Sequence, residues 1–405
     1  MQKQGISSAA KKAILIGGMC SLSYLAVYVA RNILGAVSPQ MIEKGDFTTE
    51  QIGTLSSIYF ITYAVGQLIN GAIGDRIKAK YMISLGLAFA GVCNVLVSIL
   101  STSPLLAYIS YGMTGFFLSM IYGPMSKLVA ENTEPIYTTR CSLGYTFASF
   151  FGSPSAGLLA SWLVWQDVFS ISSILLLVMG GICFIVFTLF ERKGLIKYGQ
   201  YAPPKEKSGS IRLLIKHRII RFTFISIITG IIRTTVVFWL PTYLSQYLSF
   251  SSETSAQIFT VATFIISMST FISIFLYERL KRNMDLTILI SFSVSAGSFL
   301  IVCFLKQPVL NIVFMVLAIL ASNCAATMLW SRYCPGLRDT GMVSSATGFL
   351  DCMSYLAAAV SSTLFANAVS VIGWSWLIIV WFGLAASGIL VSLPCPKLWR
   401  RKSAE

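Results

Sequence analysis

Apolar runs long enough to cross a membrane recur from one end of the chain to the other. A helix needs roughly 20 such residues to span a hydrocarbon core of about 30 Å. About twelve runs qualify, near 13–37, 51–74, 81–101, 104–129, 141–164, 168–190, 219–244, 256–277, 285–305, 308–330, 342–369 and 374–394. Backbone amides find no water at that depth, which leaves helices or a closed barrel. These runs are too long and too continuously apolar for barrel strands, so an all-α polytopic membrane protein with twelve transmembrane helices is expected. Composition agrees, because 56% hydrophobic residues, 11% charged residues and a mean hydropathy of +0.76 lie outside the range of soluble domains.

The first run follows Lys3, Lys11 and Lys12 and has no small-residue cleavage site, so it reads as a retained helix and not a signal peptide. Twelve crossings put both termini on one side. The cationic groups Arg76/Lys78/Lys80, Arg192/Lys193/Lys197, Arg279/Lys281/Arg282 and Lys397/Arg400/Arg401/Lys402 all fall on that side. The other side carries Lys44 and Lys306 beside Glu43, Asp46, Glu50, Asp167 and Glu253. By the positive-inside rule both ends are expected in the cytoplasm, with the protein in the cell (inner) membrane. The net charge of +15 is spread over short loops at helix ends, where orientation and contact with anionic lipid account for it, so no nucleic-acid partner is expected.

Cys20, Cys93, Cys183, Cys303 and Cys324 lie inside apolar runs, and none of the nine cysteines has a metal-ligand spacing. The single His217 sits in a charged loop between Lys216 and Arg218. No catalytic triad, phosphate-cradling glycine loop or cofactor motif is present, so neither an enzyme nor a cofactor or metal is expected.

The longest polar interruption, residues 191–218, carries Pro203 and Pro204 and falls near the middle of the chain. It reads as a cytoplasmic linker between six-helix halves at 1–190 and 219–396, with a tail at 397–405. Landmarks recur in register between the halves. Pro39 follows Arg31 by 8 residues, as Pro241 follows Arg233. From Pro39 to Asp75 the distance is 36 residues, and from Pro241 to Glu278 it is 37. Arg31 and Arg233 are therefore symmetry mates on the first helix of each half. Parallel halves of this kind are the architecture of major facilitator transporters, whose substrate sites lie near mid-bilayer.

A charge deep in a bilayer costs at least about 2.5–3.5 kcal/mol, so both arginines should face the bundle interior. Arg31 lies about 11 residues, roughly 16 Å, from the outer end of its run, too far to snorkel. Asp351 is the one acid well inside a span, so at most one arginine can be neutralised by it. Two guanidinium groups suit bidentate binding of a carboxylate or phosphate, and a doubly charged phosphate can engage both. Tyr24 and Tyr28 share a helix face with Arg31 at i, i+4 and i+7, where phenols can donate to phosphate oxygens or contact a carbon skeleton.

The loop GAIGDRIKAK resembles the major facilitator signature G-x-x-x-D-R-x-x-[RK] between helices 2 and 3. Asp75 and Arg76, with Glu278 and Arg279 at the matching place in the second half, are candidate gating pairs. Within that superfamily YLAVYVARNILGA, IIRTTVVFWLPTYL and TGMVSSATGFLDCMSYLAAAVSSTLFANAVSVIGW are similar to the organophosphate:phosphate antiporters, which include the glycerol-3-phosphate and hexose-phosphate transporters. The resemblance runs through most of the chain. It implies that Arg31 and Arg233 clamp phosphate and that Trp239, Tyr63 and Tyr355 fall on residues of that family. Three positions depart from the glycerol-phosphate pattern: Gln67 replaces a helix 2 lysine, Ser149 a helix 5 histidine and Thr263 a helix 8 glutamate. Asp351, on one face with Tyr355, is an added acid, and both proton coupling and a helix-helix hydrogen bond remain open for it.

A monomeric secondary transporter is expected, exchanging a small-molecule anion, a phosphate ester, for inorganic phosphate by rocker-switch alternating access. The same residues also fit a proton-coupled facilitator for another solute, including drug-like compounds, or a transporter-like sensor of sugar phosphate.

Overall fold

Every apolar run forms helix in the computed structural model, which describes residues 7–74, 77–198, 211–337 and 343–393. The helices are α1 (Ser8–Glu43), α2 (Thr49–Gly74), α3 (Ala79–Ile99), α4 (Pro104–Asn132), α5 (Pro135–Phe150), α6 (Gly152–Trp162) and α7 (Trp165–Arg192). They are followed by α8 (Ile211–Lys216), α9 (Ile219–Gly230), α10 (Val237–Gln246), α11 (Ser252–Ser267), α12 (Ser269–Arg279) and α13 (Met284–Phe304). The last are α14 (Pro308–Met328), α15 (Cys334–Gly336) and α16 (Val343–Ser392). Among the described residues there is no strand.

Ten helical segments are individually long and apolar enough to cross a bilayer. Two details raise the crossings to twelve. At 50 residues α16 would be about 75 Å long, more than two membrane cores, and Gly373 breaks it with φ 77° and ψ 172° into two arms. Only glycine adopts that conformation without strain. Neither α5, with 16 residues, nor α6, with 11, is long enough alone. Phe151 between them keeps near-helical dihedrals of φ −83° and ψ −11°, so together they make one crossing.

Contacts gather the chain into two compact units, Met1–Pro204 with Leu244–Phe264, and Lys205–Tyr243 with Ile265–Glu405. In the first, α1 packs on α5, α6 and α7, α2 on α4, and α3 on both α4 and α7. In the second, α9 packs on α16, α13 on α14 and α16, and α12 on α14. Lipid is as apolar as leucine, so small residues and interhelical hydrogen bonds hold such pairs together. Asn70 Nδ2 donates to Ser119 Oγ at 2.8 Å between α2 and α4, and Asn94 Nδ2 to Ser173 Oγ at 3.0 Å between α3 and α7. In the second unit Ser226 Oγ donates to Leu350 O at 2.8 Å and Ser295 Oγ to Ala318 O at 2.8 Å. Each such bond contributes about 0.6 kcal/mol. Gly115 lets α4 approach α2 so closely that a Cβ there would lie 2.6 Å from the Tyr59 carbonyl oxygen.

Acid-base clusters secure one end of each unit. Glu191 at the end of α7 accepts from Lys78 at 2.7 Å and Lys80 at 2.5 Å, both at the start of α3. The hydrogen bond to Glu191 holds the Lys78 ammonium above the ordinary lysine range. Asp285, in the first turn of α13, takes Arg221 at 3.0 Å and Arg218 at 3.4 Å. Asp285 thus sits in the first turn of its helix, where the dipole favours it, whereas Glu191 stands at the C-terminal end of α7 and is held there by its two lysines. Arg221 also donates to Val391 O at 2.8 Å and Ser392 O at 2.5 Å, satisfying carbonyls that the end of α16 leaves open. The start of the linker is held on the first unit, with Ile196 buried and the Lys197 amide donating to Asn132 Oδ1 at 2.7 Å. Residues 199–210 of the linker and the tail at 397–405 lie outside the described residues.

Two stability effects follow. Gly115→Ala should destabilise the protein by about 1–3 kcal/mol because backbone and not a flexible side chain opposes the methyl, whereas Gly181→Ala, which meets open space, should be neutral. Thermal denaturation in detergent separates the two. By the same assay Glu191→Gln should cost about 1–2 kcal/mol, since it strands the Lys80 ammonium, whose side chain is 8% exposed. Lys78→Met, at a side chain 50% exposed, should cost less.

Candidate functional site

In the first unit α1 delivers Tyr24, Tyr28 and Arg31 on one face, and Arg31 is half-buried. Its guanidinium carbon lies 5.3 Å from the Tyr28 ring, 5.5 Å from Tyr63 and 5.8 Å from Phe60, the last two on α2. Ring faces stabilise a desolvated cation by about 0.5–2 kcal/mol each. They do so through the negative faces of their π-systems, which attract the planar guanidinium. The position of Tyr28 is fixed from behind by Gly152 at the start of α6, where a Cβ would lie 2.7 Å from the Tyr28 carbonyl carbon. Asn32 Nδ2 donates to the Tyr28 carbonyl at 2.6 Å.

A second ring of aromatic residues extends the first. Tyr24 touches Tyr28 at 4.9 Å, Tyr122 of α4 at 5.6 Å and Tyr145 of α5 at 5.9 Å between centroids. Tyr63 stacks on Tyr59, which stacks on Tyr111. Gln67 is half-buried one turn beyond Tyr63. Ser149 belongs to α5, but its side chain lies outside the described part. Thr263 donates to the Phe259 carbonyl at 2.7 Å within α11. Phe60, Tyr122 and Tyr145 were not legible as site residues from sequence. Phe60 shares a face with Tyr63 at i, i+3, a usable signal, but nothing in the spacing brings α4 and α5 tyrosines to Tyr24.

In the second unit Arg233 sits in a π-helical turn, Ile231–Val236, between α9 and α10. Such turns displace the regular ladder and recur at functional sites. Neighbours on α16 hold the turn in place: Gly230 lies against Ser354, and Thr235 Oγ1 bonds Ala358 O at 3.1 Å and Ser361 Oγ at 2.8 Å. Arg233 is half-buried and, among the described residues, takes part in no ion pair. The contacts 226 to 350, 230 to 354 and 235 to 358 run in parallel, so Asp351 stands level with Ile227 and Arg233 with Ala357. About six residues, roughly 9 Å along the axes, therefore separate Asp351 from Arg233. Tyr355, 4% exposed, is one turn beyond Asp351. Trp239 is fully buried, with an indole Nε1 that has no hydrogen-bond partner among the described residues.

The gating candidates divide. Asp75 and Arg76 lie outside the described residues. Glu278 and Arg279 are exposed at the end of α12, and neither takes part in an ion pair among the described residues; Arg279 lies 5.4 Å over the Phe275 ring. Beside them Arg332, in a second π-helical turn at Leu329–Tyr333, lies 4.8 Å over Tyr277. A depression of about 340 Å³ in the first unit, lined by Glu43, Gln246 and Phe250, has an acid as its one ionisable group and so does not suit an anion.

Among the described residues no group of three His, Cys, Asp or Glu side chains could hold a metal. The sequence pattern of the Major Facilitator Superfamily matches residues 20–359. The chain is 22% identical to the membrane sensor protein UhpC of Escherichia coli, over 92% of this chain and 90% of that one. A segment of 96 residues reaches 32% identity with UhpC of Salmonella typhimurium, covering 24% of this chain and 22% of that protein. Identity to a phosphoglycerate transporter protein of Salmonella typhimurium is 23%, over 87% of this chain and 82% of that one. A crystal structure of a D-xylose-proton symporter superposes with a TM-score of 0.70 over 94% of this chain and 96% of that one, at 13% identity, a likeness of fold alone. With twelve crossings and a family match over most of its length, the chain belongs to the Major Facilitator Superfamily of membrane transporters and is not an enzyme.

Proposed function

We propose that the protein is a secondary transporter that exchanges a phosphate ester for inorganic phosphate, with Arg31 and Arg233 binding the anion together. The observation that carries this reading is Arg233, a half-buried guanidinium inside a membrane span that is in no ion pair among the described residues. A charge so placed calls for a counter-charge, and a ligand supplies one. The matched register of Arg31 and Arg233 extends the argument to both halves, and relatives named for phosphoglycerate, glycerol-3-phosphate and hexose-phosphate transport support the same ligand chemistry.

Exchange follows if an empty, doubly positive cavity resists closing until an anion neutralises it. The halves 1–190 and 219–396 would then rock about the site, with pairs at Asp75/Arg76 and Glu278/Arg279 stabilising one access state and both termini in the cytoplasm. Tyr24, Tyr28, Tyr63, Gln67, Ser149, Trp239, Asp351 and Tyr355 complete the proposed binding surface. A second reading has support of its own: the protein senses a phosphate ester and signals, since two relatives are named membrane sensor protein UhpC.

Proteoliposomes preloaded with inorganic phosphate test the first reading. Arg31→Lys and Arg233→Lys keep the charge but lose the bidentate fork, so phosphate-driven uptake of phosphate esters should fall at least about tenfold. Uptake by Arg31→Ala with unchanged phosphate competition would sink the clamp. Tight binding of phosphate esters with no flux in the wild type favours the sensor.

A further inference from the structure

We infer that Tyr122 and Tyr145, together with Tyr24, form a subsite for the carbon skeleton of the ligand, and that this subsite selects phosphate esters bearing a six-membered ring over short acyclic ones. The inference rests on the anion reading above for the phosphate end alone. Three elements contribute one tyrosine each: Tyr24 from α1, Tyr122 from α4 and Tyr145 from α5. Tyr122 and Tyr145 meet edge to face at 6.1 Å and 87°, and both touch Tyr24, at 5.6 Å and 5.9 Å.

Exposure divides these rings into a platform and its support. Tyr24 and Tyr145 are 8% and 3% exposed, whereas Tyr122 is 43% exposed. Beside it, a Cβ placed on Gly123 would meet nothing within 4 Å, so α4 is open at that position as well. The exposed ring looks away from hydrocarbon, because Tyr24 shares its helix face with the Arg31 guanidinium and a membrane charge turns toward protein or water. An exposed aromatic ring braced by two buried rings stacks well on the C–H face of a saturated ring.

Distance along α1 sets the ligand size. Tyr24 lies seven residues, about 10 Å, from Arg31, with Tyr28 roughly midway. An ester of three carbons held by its phosphate at Arg31 ends near Tyr28. A six-membered ring carried on the same phosphate reaches the Tyr24 and Tyr122 rings.

Binding to the purified full-length protein in detergent, by calorimetry, tests this for transporter and sensor alike. The probes are inorganic phosphate, glycerol 3-phosphate, glucose 6-phosphate and glucose. The wild type should bind glucose 6-phosphate about tenfold more tightly than glycerol 3-phosphate. In Tyr122→Leu the affinity for glucose 6-phosphate should drop about five- to tenfold while inorganic phosphate and glycerol 3-phosphate stay within about twofold, and Tyr122→Phe should restore most of the loss. The ratio of ester to phosphate affinity within each variant removes any general folding defect. Equal losses for all three anions, no change in Tyr122→Leu, or no preference for the ring in the wild type would overturn the subsite while leaving the arginine clamp standing. Failure of inorganic phosphate to bind the wild type would overturn the anion reading and this one with it.

Discussion

Hydrocarbon offers no partner to a charge or an amide, and most of the architecture of the described residues follows from that cost. Backbone amides escape it in helices, which is why every apolar run is helical and none is extended. Side-chain amides and hydroxyls escape it by bonding across helix pairs, as Asn70, Asn94, Ser226 and Ser295 do. Most charges escape it by standing at helix ends, where Glu191 and Asp285 each gather two cations. Arg31 and Arg233 cannot reach an end, so the surroundings of each arginine have to be built for it.

The two units build those surroundings differently. Around Arg31 the first unit places aromatic faces from α1 and α2, which stabilise positive charge. Around Arg233 the second unit uses backbone, a π-helical turn fixed by bonds from Thr235 to α16. Sequence register makes the arginines equivalent, but what surrounds each one is not repeated.

Membership of the Major Facilitator Superfamily fits these constraints and leaves the solute to the site itself. Asp351 illustrates the point. As the one acid well inside a span it looks in sequence like a partner for an arginine, yet the parallel pairing of α9 and α16 sets it about six residues below Arg233. Among the described residues Arg233 takes part in no ion pair.

The sequence by itself determined the helical class and the twelve crossings, and it sets Arg31 and Arg233 at matching places in its register, because each of these is a matter of local polarity and spacing along one chain. Even the crossings that needed a break show it locally, in Gly373 and in the short α5 and α6. Tertiary structure decided what the arginines meet. Tyr122 and Tyr145 come to Tyr24, Lys80 comes to Glu191, and Arg221 comes to the end of α16 only once helices far apart in sequence are packed. These meetings depend on the rotation and depth of one helix against another, set by small residues such as Gly115, Gly152 and Gly230, and no periodicity within a single run encodes them.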